Sequence, residues 1–143
     1  MNMNRVLPSV LIGLALSASA SGAWAQGTKV DEGKIEYDSH CAICHGTQGR
    51  GNGEMRRFLT TPPSDLTTLA KRSGGAFPNQ LAWEIIDGRS AAIGAHGTRE
   101  MPVWGQAFRR EALAQAVTAQ QPEWYVRNRI VALLDYLSRI QER

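Results

Sequence analysis

Cys41-Ala42-Ile43-Cys44-His45 sets two thiols one helical turn apart and puts an imidazole directly behind the second. Thiols at that spacing can add to the two vinyl groups of one porphyrin, and the adjoining histidine is then aimed at its iron. The motif is one for covalent haem attachment. A thioredoxin-like dithiol wants a strand before its motif and a sheet behind it, and a zinc site wants a second Cys or His pair at finger-like spacing. Neither accompaniment is present, and the chain has no other cysteines. His45 is the expected fifth ligand, and its other ring nitrogen needs an acceptor to fix the ring. Pro62 and Pro63 offer carbonyl oxygens on a rigid backbone and are the candidates to present it; the competing reading makes them plain turn formers.

The opposite face of the ring calls for a sixth ligand. Beyond Met1 and Met3 the chain has two methionines, Met55 and Met101. Met101 sits in Arg99-Glu100-Met101-Pro102-Val103-Trp104-Gly105, far enough from Cys44 to wrap round to the other side. It is the expected ligand, since Met/His is an established ligation type. Met55, close behind the haem motif, reads as packing or surface, and His96 would give a bis-His iron instead. His40 reads as a surface histidine pointing away from the iron. Ile43, Val103 and Trp104 are candidates to line the pocket, with plain core as the other reading of Trp104. Protein ligands on both faces leave no easy site for oxygen or peroxide, which points to outer-sphere electron transfer at a raised potential.

Elements must hold these groups. Residues 30–45 follow a helical pattern with Asp31 and Glu32 in its first turn, so one helix is expected to carry the cysteines at its end. Four glycines within residues 46–53 then read as a loop lying over a ligand. Ser64 or Asp65 can cap a short helix through Leu66, Leu69 and Ala70. Residues 78–87 read as another, with Leu81, Ile85 and Trp83 inward and Gly88 as the stop. Residues 90–105 read as irregular and 107–119 as helical with a thin apolar stripe. Pro122 opens the last helix, where Val126, Ile130, Leu133, Leu134, Leu137 and Ile140 keep a 3.6-residue period. No alternating run is long enough for a strand.

Residues 1–25 read as an export signal: Arg5, then a mostly apolar stretch, then Ala23-Trp24-Ala25 for a signal peptidase. A retained span would need about 20 strongly apolar residues, and this segment turns to Ser, Ala and Gly too early. Cleavage leaves residues 26–143, 118 residues and one domain, destined for the periplasm with no stable membrane insertion. The mature balance of 15 basic to 13 acidic residues gives no case for nucleic acid. With only Lys29, Lys34 and Lys71 as lysines, it shows no lysine-ringed docking face either.

The haem motif, then Gly46-x-x-Gly49-x-Gly51-x-Gly53, Pro62-Pro63-x-Asp65-Leu66 and Met101-Pro102-x-Trp104-Gly105, together resemble the class I monohaem cytochromes c, particularly the bacterial periplasmic members. Gly33 with Tyr37, and Leu133 with Tyr136, look like that family's crossing pairs on the first and last helices. The resemblance implies a small all-α fold of four to five helices around one covalent haem c, serving electron transfer between redox protein partners. The alternatives are a dedicated haem subunit of a periplasmic dehydrogenase or oxidase, and a haem enzyme or sensor with a displaceable sixth ligand. One departure is the length from Met101 to the last helix, which makes residues 107–121 an added helix or a docking piece.

Overall fold

The computed structural model describes residues 30–89, 100–115 and 122–142. The export segment and His96 therefore lie outside the described residues. Those described form six α-helices and two short 3-10 turns, with no strand. The helices are α1 (Glu32–His40), α2 (Ala42–His45), α3 (Leu69–Arg72), α4 (Asn79–Asp87), α5 (Trp104–Ala114) and α6 (Pro122–Arg139). None is long and apolar enough to cross a membrane.

The frame is the crossing of α1 and α6. Asp31 starts α1 by accepting the Lys34 N–H at 3.0 Å, and Arg139 of α6 reaches the same carboxylate at 2.7 Å. The expected apolar stripe of α6 buries Val126, Ile130, Leu133, Leu134 and Leu137, with Tyr136 added. Each such side chain contributes about 1.5–3 kcal/mol of transfer free energy before ordering costs. Gly33 is where the backbones meet. A Cβ there would stand 2.1 Å from the Ala132 carbonyl oxygen and 2.9 Å from the Tyr136 Cβ. One turn on, the Tyr37 and Tyr136 rings pack with centroids 5.1 Å apart. Gly33→Ala must prise the two helices apart, and overpacking of this kind costs about 1–3 kcal/mol. Chemical denaturation of the haem-loaded protein should show that loss, against no change for an exposed alanine substitution such as Lys71→Ala.

Three expectations change here. The helix expected over residues 30–45 is two helices, α1 ending at His40 and α2 restarting at Ala42, with Cys41 between them at a φ widened to −110°. The helix expected over residues 107–119 begins earlier: α5 starts at Trp104, within the stretch read as irregular, and ends at Ala114, while residues 116–121 lie outside the described residues. α5 buries Phe108 and Ala112 completely, the former within the core shared with α1 and α6. On α4 the inward residues are Ala82 and Ile86, one turn apart, while Leu81 is 46% exposed and Ile85 and Trp83 are half-buried. A neighbouring row on the same helix carries equally apolar residues, and the positions of α5 and α6 decide which row is covered.

His40 is also not a surface histidine. Its ring lies 5.0 Å from that of Trp104 and 5.7 Å from that of Phe108, with Glu36 at 3.1 Å. Arg129 closes this group, bonding to Glu36 at 2.8 Å and to Glu111 while its guanidinium sits 4.0 Å over the Phe108 ring. The charge cluster thereby joins α1, α5 and α6, with His40, the residue before Cys41, among its members.

Candidate haem-binding site

α2 holds the three chemical groups of the motif in four residues plus the preceding Cys41. The Cys44 and His45 amides both donate back to the Cys41 carbonyl, at 3.1 and 2.9 Å, so the two thiols bracket one tight turn. The far end is pinned by Tyr37 of α1, whose buried hydroxyl donates to the Gly46 carbonyl at 2.6 Å. The crossing that stabilises the fold thus also fixes the direction of the motif.

The His45 ring is oriented by its Nδ1, 3.0 Å from the Ser64 carbonyl oxygen. A carbonyl can only accept, so Nδ1 carries the proton and Nε2 keeps its lone pair for a metal. Burial lowers the His45 pKa and the Ser64 contact partly offsets it, so the ring is neutral at neutral pH, as a ligand must be. Ser64 follows the two prolines expected to present this acceptor. The carbonyl of Pro63 instead faces Gly51, where a Cβ would stand 2.3 Å from it. Pro62 lines an open cavity of about 830 Å³ with Asn52, Gly53, Glu54, Arg56 and Arg57.

The glycine loop closes beneath α2. Gly51 donates to the His45 carbonyl at 2.8 Å and Gly53 to the Cys44 carbonyl at 3.1 Å, satisfying acceptors that a four-residue helix leaves open. Gly51 has φ 73° and a backbone neighbour where its side chain would be, so both the turn and the close approach require glycine. At these two points the bulky neighbour expected of the loop is the chain itself.

Burial, followed by the nearby Glu36 and Cys44, pushes the Cys41 thiol up to about 12. An exchange-active dithiol needs the opposite shift. Among the described residues no group of three or more His, Cys, Asp or Glu side chains gathers to hold a bare metal ion. Beside the motif, exposed apolar side chains stand among the charged Glu54, Arg56 and Arg57. Ile43 between the cysteines is 49% exposed, and Met55 and Phe58 are exposed on the 3-10 turn Glu54–Phe58, which packs against α2. Two thiols, a neutral imidazole with a free Nε2 and uncovered apolar side chains beside them fit a flat apolar ring carrying one metal.

Met101 and Trp104 are partly buried against the same core as Cys41 and Ala42. Trp104 opens α5 and packs on His40 and Phe108, so its ring belongs at least in part to the core. Glu100, beside Met101, accepts the Thr60 and Thr61 amides at 2.7 and 2.8 Å. Neither Ser64 nor Glu100 was expected in the site. Ser64 acts through its backbone, which its side-chain type does not announce. The signal for Glu100 was a carboxylate placed directly before Met-Pro.

The family described as cytochrome C oxidase, cbb3-type, subunit III, has a model that matches residues 28–118. Its match stops short of α6, although α6 supplies the partner for α1. No curated protein and no solved structure matches the chain. With a family match over most of its length, an all-α fold and the attachment motif placed on α2, the chain belongs to the cbb3-type subunit III family and is a c-type monohaem cytochrome, a protein of haem-based electron transfer.

Proposed function

We propose that this chain is a periplasmic one-electron carrier whose single haem c is attached through Cys41 and Cys44 and ligated by His45 and Met101. The observation that carries this reading is the His45 ring, held 3.0 Å from the Ser64 carbonyl with Nε2 left free beside the two thiols. The bound haem supplies an iron that changes valence by one electron. The chain's own residues do the rest. Ser64 fixes the tautomer and direction of His45; the partly buried Cys41 would limit water at its side of the site; Met101, in the loop before α5, would supply the second protein ligand to the iron. A thioether ligand and an apolar setting both favour the reduced state, giving a raised potential.

Residues 1–25 act as the export signal that brings residues 26–143 to the periplasm, where haem is attached. Partners are redox proteins that dock weakly over a small area near Ile43, Met55 and Phe58, as suits rapid exchange. A second reading is favoured by the description of the matched family: a dedicated haem subunit of a periplasmic oxidase or dehydrogenase complex. In that role too the chain passes electrons and performs no catalysis itself. Co-purification of a stoichiometric partner with the exported protein separates the two.

Reduced protein exposed to carbon monoxide tests closed coordination. An unchanged visible spectrum is expected, because both axial positions are taken. Formation of a stoichiometric carbonyl complex at neutral pH would overturn the carrier reading in favour of a haem enzyme or sensor.

A further inference from the structure

We infer that Glu100 is a positioning residue that holds the Met101 ligand loop across the haem cleft by clasping the segment that orients His45. The inference rests on the reading of Met101 as the sixth ligand. Glu100 Oε1 accepts the Thr60 N–H at 2.7 Å and Oε2 the Thr61 N–H at 2.8 Å, across about forty residues of chain. Three residues on, Ser64 presents its carbonyl to His45 Nδ1 at 3.0 Å. Residues 60–64 therefore form a strap with the histidine ligand bonded at one end and the neighbour of the methionine ligand at the other.

The strap is suited to transmit position. Pro62 and Pro63 lock φ at two of its five residues, so its length is nearly fixed. The clasp uses both carboxylate oxygens on two successive amides, which sets orientation as well as distance, and hydrogen bonds to an ionised acceptor are the stronger kind. On its C-terminal side Met101 is anchored by α5, whose first turn closes with the Ala107 amide on the Val103 carbonyl at 3.2 Å. Glu100 supplies the matching anchor on the N-terminal side. With both anchors in place the thioether is held at the iron; with one lost, the same fold persists but the sulfur leaves more readily.

The test is displacement of methionine by imidazole in the oxidised, haem-loaded protein, followed by loss of the near-infrared sulfur-to-iron band. Glu100→Ala should fold and load haem as the parent does, show the band without competitor, and bind imidazole about tenfold more tightly, the size expected for losing a charge-assisted clasp. Glu100→Gln, which keeps one accepting oxygen, should fall between. Arg50→Ala removes a separate surface ion pair, to Glu142 at 2.7 Å, and should leave imidazole affinity unchanged. Equal affinity in Glu100→Ala and parent, or the same rise in Arg50→Ala, would overturn the clasp while the ligand assignment stands. A band that survives Met101→Ala would overturn the ligand assignment and the clasp with it.

Discussion

Replacing Cys41 and Cys44 together by serine is expected to yield a chain with no covalent haem and with most of its helical circular dichroism lost. The reason lies in how the core is divided. The packed cluster of Tyr37, Phe108, Ile130, Leu133 and their neighbours fills the space between α1, α5 and α6. Around α2, by contrast, Ile43 and Met55 are exposed and Phe58 is covered only by the Arg57 guanidinium, and the proposed haem would supply the missing apolar cover. A chain of this size, 118 residues once the proposed export signal is removed, has little surplus burial, since a net stability of about 5–15 kcal/mol is what remains after apolar burial and chain entropy nearly cancel. Removing the central apolar body should exceed that margin. Denaturing gels stained for haem check attachment, and far-ultraviolet dichroism checks folding. A haem-free double variant as helical and as cooperative as the parent would show that the ring is not the centre of the core. Either single serine variant, keeping one thioether, should lie between.

Met101→Ala is expected to have the second largest effect, and on electronics rather than on folding. Loss of the sulfur ligand should abolish the near-infrared band of the oxidised protein and open a site for carbon monoxide in the reduced one. The potential should fall by on the order of 0.1–0.2 V, a modest part of the range that axial ligands span. Met55→Ala is the control. Met55 lies 38% exposed on the 3-10 turn behind α2, and its loss should leave band and potential in place. A parent-like band in Met101→Ala together with a lost band in Met55→Ala would transfer the ligand role to Met55. Because Met101 is only partly buried against the core, truncation leaves a small cavity, and the fold should survive to be measured.

The two proposed iron ligands, His45 and Met101, sit in differently held segments of chain. The histidine side is backed by two backbone amides, Gly51 and Gly53 on the carbonyls of His45 and Cys44, and by the buried Tyr37 hydroxyl on the carbonyl of Gly46. The methionine side is held by side chains, Glu100 before it and Trp104 after it, the latter wedged on His40 and Phe108. Backbone ladders open cooperatively with the fold, whereas a side-chain anchor can release by itself. When the coordination shell yields, it should yield first at sulfur.

The sequence by itself determined the chemistry. Cys-x-x-Cys-His needs no tertiary contact to be legible, because one helical turn sets the spacing of the thiols; the α6 stripe, the Asp65 cap and the Gly88 stop are legible for the same local reason. What only the tertiary structure decided is which of several equivalent local options is used. Ala82 and Ile86 face inward rather than Leu81 because α5 and α6 pack on that side, and His40 is enclosed because α5 begins at Trp104 and brings Phe108 beside it. Ser64 rather than Pro62 or Pro63 meets His45 because the path of the strap selects the carbonyl, and every residue carries one. Side-chain type encodes local periodicity and reactivity. Long-range register is set by the joint packing of all elements, and a single chain's composition does not carry it.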